Sequence, residues 1–373
     1  MNLDLAQARI ENHFRNMVRK DPNIVNAYFL VHSDKHGVHW NMAEGATGNL
    51  PANAQQPYYI ASVTKLFTSV LVAMLEEEGR VSYEDPIDRY IEPELLHRLH
   101  VYKGKEYTHE IKIKHLLNHT SGLHDFFLDK PKSGRAMLDL LVDEPSRFWS
   151  PQEVVLWAKE HLQTRFPPGK GFHYSDTGYH LLGFMIETVT AMPLHEAYRH
   201  YIFQPLGMVH SYMSHHSEPI GRNEYPTAGV YSGTVNVAHY PSASIEYAGG
   251  AIVSTSEDLL KFMKSLAKHE IIRKDSFEKM KDWSKFMLGI DYGYGLAAFR
   301  TVPVLMPQRY NVWGNFGYSG SFSFYHPALD SYFIGSLNQF RYTRKGIRLM
   351  GKAIDTLLKM NGRHSQANKP APL

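Results

Sequence analysis

The sequence holds no cysteine, which excludes disulfide bridges, thiolate metal sites and a cysteine nucleophile without fixing the compartment. No apolar run approaches the roughly 20 residues that a membrane span needs. Neither sign of charge dominates: the formal net charge is only +3 and basic and acidic residues alternate, leaving no basic face for nucleic acid and no polybasic membrane anchor. H-E-x-x-H is absent, the 22 histidines are scattered, and His215-His216 falls in a polar loop, so no zinc site is expected. The opening residues, Met1 to Leu5, carry an acid early and no apolar h-region, so no secretory signal is read and a cytoplasmic location is expected unless the sequence is a processed form.

What is present suffices for a substantial core. The chain has 373 residues, 43% of them hydrophobic and 21% charged, which excludes global disorder and suits two sub-domains in one globular unit. Apolar spacing predicts a helix over residues 5–18 with Leu5, Ile10, Phe14 and Val18 on or near one face, then a hairpin of strands over 24–31 and 37–43. Residues 85–240 read as helices and long loops, among them short helices over 113–118 and 151–162 and a longer one after Asp176. Beyond the paired glycines Gly249-Gly250, the pattern gives a capped helix from Ser256, a strand beginning near Tyr294, a hairpin of 322–324 with 332–337, and a C-terminal helix through Ile347 and Leu358. The expected organisation is an α/β (α+β) sub-domain formed by both chain ends, 1–84 and 246–362, a mostly helical sub-domain over 85–245, and a frayed tail over 363–373. A ligand cleft is expected at their junction.

The stretch Ala61-Ser62-Val63-Thr64-Lys65 opens a strongly amphipathic helix, with Val63, Leu66, Phe67, Val70, Leu71, Met74 and Leu75 at the spacing of one buried face. A serine before such a run is ordinarily an N-cap. Lys65, however, lies three residues on, one turn along the same side, where its amine can approach the serine hydroxyl at the positive end of the helix dipole.

Two further stretches change the reading: Tyr174-Ser175-Asp176 and Tyr318-Ser319-Gly320. With Ser62-x-x-Lys65, their order and separation resemble the S-x-x-K, Y-x-N and K-T-G (or H-x-G) elements of the serine penicillin-recognising enzymes, the branch that holds class C β-lactamases, D-alanyl-D-alanine carboxypeptidases, D-aminopeptidases and related esterases. Residues 113–123, Pro168-Gly169, Gln204-Pro205-Leu206-Gly207-Met208 and Gly249-Gly250 through Asp258 look like that family's landmarks, so the resemblance runs from about residue 24 to 360.

The resemblance implies a β-lactamase/transpeptidase-like fold, an antiparallel sheet flanked by helices with an inserted helical sub-domain, and an acyl-enzyme mechanism. Ser62 is then the nucleophile, Lys65 takes its proton, and Tyr174 shares the proton traffic and protonates the leaving group. The backbone amides of Ser62 and Ser321 would hold the oxyanion, and Gly320 would let its strand approach the substrate. Asp176, Tyr318, Ser319 and Gly320 are the expected substrate-binding residues, with no metal or organic cofactor.

Two departures bear on the substrate. Asp176 stands where Asn is usual: either it places a carboxylate near Lys65 and makes that amine a poorer base, or it caps the following helix. Tyr318 stands where lysine is usual in β-lactamases and carboxypeptidases, and it supplies no positive charge for a substrate carboxylate. That argument weakens if Arg341 or Arg344 reaches the cleft. The expected substrate is thus a small ester, amide or short peptide, handled by a carboxylesterase or D-stereoselective amidase or peptidase. A β-lactamase or carboxypeptidase is the alternative within the class, and a catalytically silent scaffold the alternative outside it. The oligomeric state is left open.

Overall fold

The computed structural model describes residues 1–302 and 307–367. Five helices and nine strands position the site: α1 (Leu3–Lys20), α2 (Thr64–Glu77), α3 (Asp176–Thr190), α4 (Ser256–Ala267) and α5 (Thr343–Ala367), with β1 (Asn26–Ser33), β2 (Val38–Thr47), β3 (Leu50–Pro51), β4 (Ser284–Met287), β5 (Ile290–Tyr292), β6 (Ala297–Phe299), β7 (Val312–Phe316), β8 (Phe322–His326) and β9 (Ser331–Ser336). The nine strands form one sheet in the order β4-β5-β6-β7-β8-β9-β1-β2-β3, and every neighbouring pair is antiparallel. The chain's early hairpin therefore docks on the last strand of the late meander, with Tyr28 opposite Ser336.

Side chains alternate across a strand, and β1 uses both faces. Phe29 and Val31 point to a core shared with Ile10, Phe14 and Val18 of α1 and Leu349, Ile354 and Leu357 of α5. Tyr28 and Leu30 point the other way, into the core of α2, α3 and α4. The sheet is a layer between helices. In α1 the buried series is Ala6, Ile10, Phe14 and Val18, a strict i, i+4 row; Leu5, expected on that face, is 60% exposed. Asn2 caps this helix by accepting from Leu5 N at 3.0 Å.

α2 differs from its expected one-faced pattern, since it is buried almost all round. Its polar residues have partners inside: Thr68 donates to the Ala248 carbonyl at 2.6 Å, and Ser69 meets the Tyr179 hydroxyl at 3.2 Å. Around Tyr294 the expected strand is instead the turn between β5 and β6, closed by Gly293 N donating to Leu296 O at 2.8 Å. Gly295 in this turn has φ +62°, and a Cβ there would fall 2.5 Å from the Lys65 carbonyl, so only glycine lets the turn touch α2. α5 continues past Arg363 to Ala367, through the first part of the expected tail; residues 368–373 lie outside the described residues.

A second sheet leads to the site. Tyr58–Tyr59 pairs with Ile252–Ser254, which pairs with Tyr212–Met213, so three distant parts of the chain meet immediately before Ala61. Among the described residues no helix is long and apolar enough to cross a membrane.

Candidate active site

Ser62 occupies the single 3₁₀ turn Ala61–Val63 that runs into α2. No side chain caps that turn, so the plain capping role is not the one Ser62 fills. Ala61 before it holds φ +46°, a left-handed conformation that costs a non-glycine residue about 1 kcal/mol or more. It is held by its neighbours: Ile60 N donates to Ile252 O at 3.0 Å, and the Ile60 carbonyl accepts from Val63 N at 3.2 Å and from the Ser321 hydroxyl at 2.7 Å. The half-buried Ser62 side chain faces Lys65, whose Nζ lies 3.3 Å from Ser62 Oγ.

Lys65 is fully buried. Besides Ser62 it donates to the Gly249 carbonyl at 2.8 Å and to the Asp176 carboxylate. Those three acceptors match the three hydrogens of an ammonium. Gly249 is tight here, because a Cβ on it would fall 2.6 Å from Asp176 Oδ1 and 3.2 Å from Lys65 Nζ. Both readings of Asp176 are thereby decided. Its carboxylate sits on Lys65, and the cap of α3 is the preceding residue, Ser175, whose hydroxyl accepts from Gly178 N at 3.0 Å.

Tyr174 approaches from the loop before α3. Its ring centroid is 5.0 Å from Lys65 Nζ, and its phenol lies within interaction range of the Ser62 side chain. Burial, followed by the Asp176 charge, holds the Tyr174 pKa well above its usual value, so the phenol stays protonated. His119, read from the sequence only within the landmark stretch 113–123, supports it. The His119 ring lies 4.2 Å from the Tyr174 ring, and Ser175 N donates to His119 Nδ1 at 3.1 Å. Burial and then the Lys65 charge push the His119 pKa well below its usual value. With Nδ1 accepting, the hydrogen of this neutral ring is on Nε2. Asp125, also missed, accepts from Asp176 N at 3.0 Å and from Phe127 N at 3.2 Å, which fixes the start of α3. Burial and the nearby Asp176 raise its pKa well above the usual range.

The third element sits three residues earlier than expected. The β7–β8 hairpin closes where Gly317 N donates to Ser321 O at 2.8 Å, and Gly317 is the glycine against the nucleophile: a Cβ there would fall 2.7 Å from Ala61 Cβ and 3.0 Å from Ser62 N. Gly320, at φ +76°, packs instead against Tyr342 and Leu337. Ser321 is buried, its hydroxyl held by Ile60, and it lines neither of the two cavities that Ser62 lines. Tyr318 lines both, and Ser319 lines one of them with its hydroxyl buried and unpartnered among the described residues. Two residues before Gly317 on β7 is Asn315, fully buried, whose amide donates to the Tyr292 hydroxyl at 3.1 Å and the Gly295 carbonyl at 2.8 Å. The sequence missed this because Gly317 and Gly320 both follow an aromatic residue within three positions, and only the strand end tells them apart.

Two spaces meet at Ser62. One is a small cavity of about 60 Å³, walled mostly by apolar side chains including Leu141, Val230 and Phe340. The other is a wide apolar cleft of about 710 Å³ bordered by Tyr174, Phe286, Ile290, Arg344 and Arg348. Arg341 Nε donates to the Tyr318 hydroxyl at 3.0 Å. Arg341 itself borders neither space, but Arg344 borders the cleft, so the condition under which the Tyr318 argument weakens is met. Among the described residues no group of three or more His, Asp or Glu could hold a metal ion.

A family model described as Beta-lactamase matches residues 14–351. Penicillin-binding protein 4* of Bacillus subtilis (strain 168) is 29% identical over 266 residues, 67% of this chain and 54% of that protein; the chain spans about half the length of the curated relatives it matches. Among solved structures, D-amino acid amidase from Ochrobactrum anthropi SV3 complexed with D-phenylalanine superposes with a TM-score of 0.77 at 22% identity, covering 95% of this chain and 99% of that one. EstCE1, a hydrolase with promiscuous acyltransferase activity, superposes at 0.75 and 20% identity with the same coverages. These likenesses show the α/β fold of the β-lactamase/transpeptidase type.

Proposed function

The chain belongs to the beta-lactamase family, and from that premise we propose that it is a serine hydrolase acting through an acyl-enzyme on small esters, amides or short peptides. The observation that carries this reading is the contact of Ser62 with both Lys65 and Tyr174 in one cleft. The reading sets that cleft between two sub-domains, 1–84 with 246–362 supplying Ser62 and Lys65, and 85–245 supplying Tyr174.

Ser62 Oγ attacks the carbonyl carbon, and its proton passes to Lys65 as Lys65 hands one to Asp176. Lys65 thus remains an ammonium while Asp176 becomes the neutral acid, and the positive charge the pair gains balances the negative charge developing on the substrate oxygen. Tyr174, a protonated phenol, gives its hydrogen to the leaving group and regains one from the Lys65–Asp176 pair, so the serine proton ends on the departing group. The amides of Ser62 and Tyr318 are the proposed oxyanion donors, Tyr318 replacing Ser321 because it follows the glycine that touches Ser62. Water then attacks the ester by the reverse route.

Within the class, the apolar cleft favours an esterase or a D-stereoselective amidase. Arg344 and Arg348 on its border favour a second reading, a peptidase for substrates with a free carboxylate. The experiment is a panel of p-nitrophenyl esters, D- and L-amino-acid p-nitroanilides and a chromogenic cephalosporin on wild type and Ser62→Ala. Turnover lost in the variant supports the reading, whereas no turnover of any member points to a silent scaffold.

A further inference from the structure

One carboxylate near the nucleophile has no part in this chemistry. Glu246 follows the turn Pro241–Ile245 and stands three residues before Gly249, whose carbonyl holds Lys65. Its side chain lies along the Gly250 backbone, where an added Cβ would fall 2.0 Å from Glu246 Oε2. It lines the small cavity that Ser62 lines, among apolar walls that include Leu141, Val237 and Phe340. The cation acting on it, Lys65, is already paired with Asp176. Among the described residues the Glu246 side chain has no hydrogen-bond or ion-pair partner.

An acid in apolar surroundings is unfavourable unless a donor or a cation meets it. Glu246 is partly exposed and lines the cavity, so a partner can reach it from there. The sidedness of the site says which part of the substrate that is. Tyr174, the leaving group's proton donor, borders the wide cleft and not the small cavity. The leaving group departs through the cleft, and the acyl part stays in the cavity with Glu246.

We propose that Glu246 receives a free amino group on the acyl part of the substrate, making the enzyme selective for α-amino-acyl amides and esters over their uncharged isosteres. This rests on the acyl-enzyme reading above. Burial, then the Asp176 charge, raises the Glu246 pKa to about 8 against the opposing pull of Lys65, so the empty site holds an acid ready to pass its proton to a base. An amine arriving neutral takes that proton, and an ammonium arriving charged releases it to water. Either route leaves a carboxylate–ammonium pair. The cavity, at about 60 Å³, has room for an alanine-sized group rather than a long acyl chain.

The test compares alanine p-nitroanilide, in both enantiomers, with isobutyryl p-nitroanilide, in which a methyl group replaces the ammonium. Wild type is expected to favour one alanine enantiomer in kcat/KM by about ten- to hundredfold, the range of one charged hydrogen bond. Glu246→Gln is expected to erase that preference by lowering kcat/KM for the alanine compound about ten- to hundredfold more than for the isobutyryl compound. A wild-type enzyme with no preference, or a Gln variant that retains it, overturns the proposal. Hydrolysis of p-nitrophenyl isobutyrate, checked alongside, judges the acyl-enzyme reading separately. Should that ester not be cleaved, calorimetric binding of alaninamide against isobutyramide decides for Glu246 alone: tighter alaninamide binding lost in Glu246→Gln supports it, and equal binding overturns it.

Discussion

Lys65 and Asp176 form an ion pair closed off from solvent, with the lysine side chain fully buried and the aspartate 5% exposed. The pair places an acceptor for a second proton directly behind the amine that faces Ser62. In Asp176→Asn the amide still accepts a hydrogen bond but takes no proton. Ester kcat is expected to fall by about ten- to hundredfold, within the range of general acid–base catalysis. The melting temperature should fall too, since removing one partner leaves a buried charge uncompensated. Stopped-flow acylation and calorimetry check the two effects, and an unchanged acylation rate would remove Asp176 from the proton path.

Tyr174→Phe separates the roles of acid and nucleophile. A nitrophenolate leaves without a proton and an anilide does not. The variant is expected to lose about 100-fold or more in kcat on an anilide, and far less on a nitrophenyl ester. Equal losses on both substrates would mean that Tyr174 positions Ser62 rather than protonating the leaving group.

Gly317→Ala tests which glycine borders the nucleophile. The new methyl would meet Ser321 Oγ at 2.3 Å and Ala61 Cβ at 2.7 Å, pushing the Tyr318 amide away from Ser62. The expected outcome is a drop in kcat with little change in KM, measured on a nitrophenyl ester. Gly320→Ala, which strains a φ of +76° against Tyr342, should lower the melting temperature instead.

What the sequence showed and hid follows from these contacts. The convergence of Ser62, Lys65 and Tyr174 was legible through the resemblance of Ser62-x-x-Lys65 and Tyr174-Ser175-Asp176, taken together and in order, to the family's elements; the serine and lysine spacing alone reads equally as a helix cap. The register of the third element was not, since Gly317 and Gly320 differ only in where β7 ends. Nor could residue pattern reveal the full burial of α2. Helical spacing marks the apolar face, whereas Thr68 and Ser69 are buried through partners more than a hundred residues away. Glu246, His119 and Asp125 were silent for the same reason, their roles arising from packing against distant chain.

Arg344 and Arg348 line the leaving-group side of the cleft. Arg344→Ala combined with Arg348→Ala is expected to raise KM for a dipeptide with a free carboxylate and to leave its amidated form unaffected. The difference should shrink as salt is added, because exposed charges are screened. Matched KM measurements at low and high ionic strength check it.

Glu246 also gives stability a pH dependence. Its folded pKa of about 8 lies above the ordinary glutamate value of 4.5, raised first by burial and then by Asp176 on α3, with Lys65 on α2 opposing. Between those values the folded state binds the extra proton, so this group's contribution to stability is full below about pH 4.5 and is lost as pH rises through about 8. Thermal melts of wild type and Glu246→Gln across this window should show a difference in slope that vanishes once both limits are passed.

The central claim, a serine made nucleophilic by a lysine and a tyrosine, is tested most directly by intact-mass spectrometry after exposure to a fluorophosphonate, with peptide mapping of the adduct. One equivalent on Ser62, absent from Ser62→Ala, is the predicted result. An unmodified wild-type chain, or an adduct on another residue with ester turnover preserved in Ser62→Ala, would contradict it.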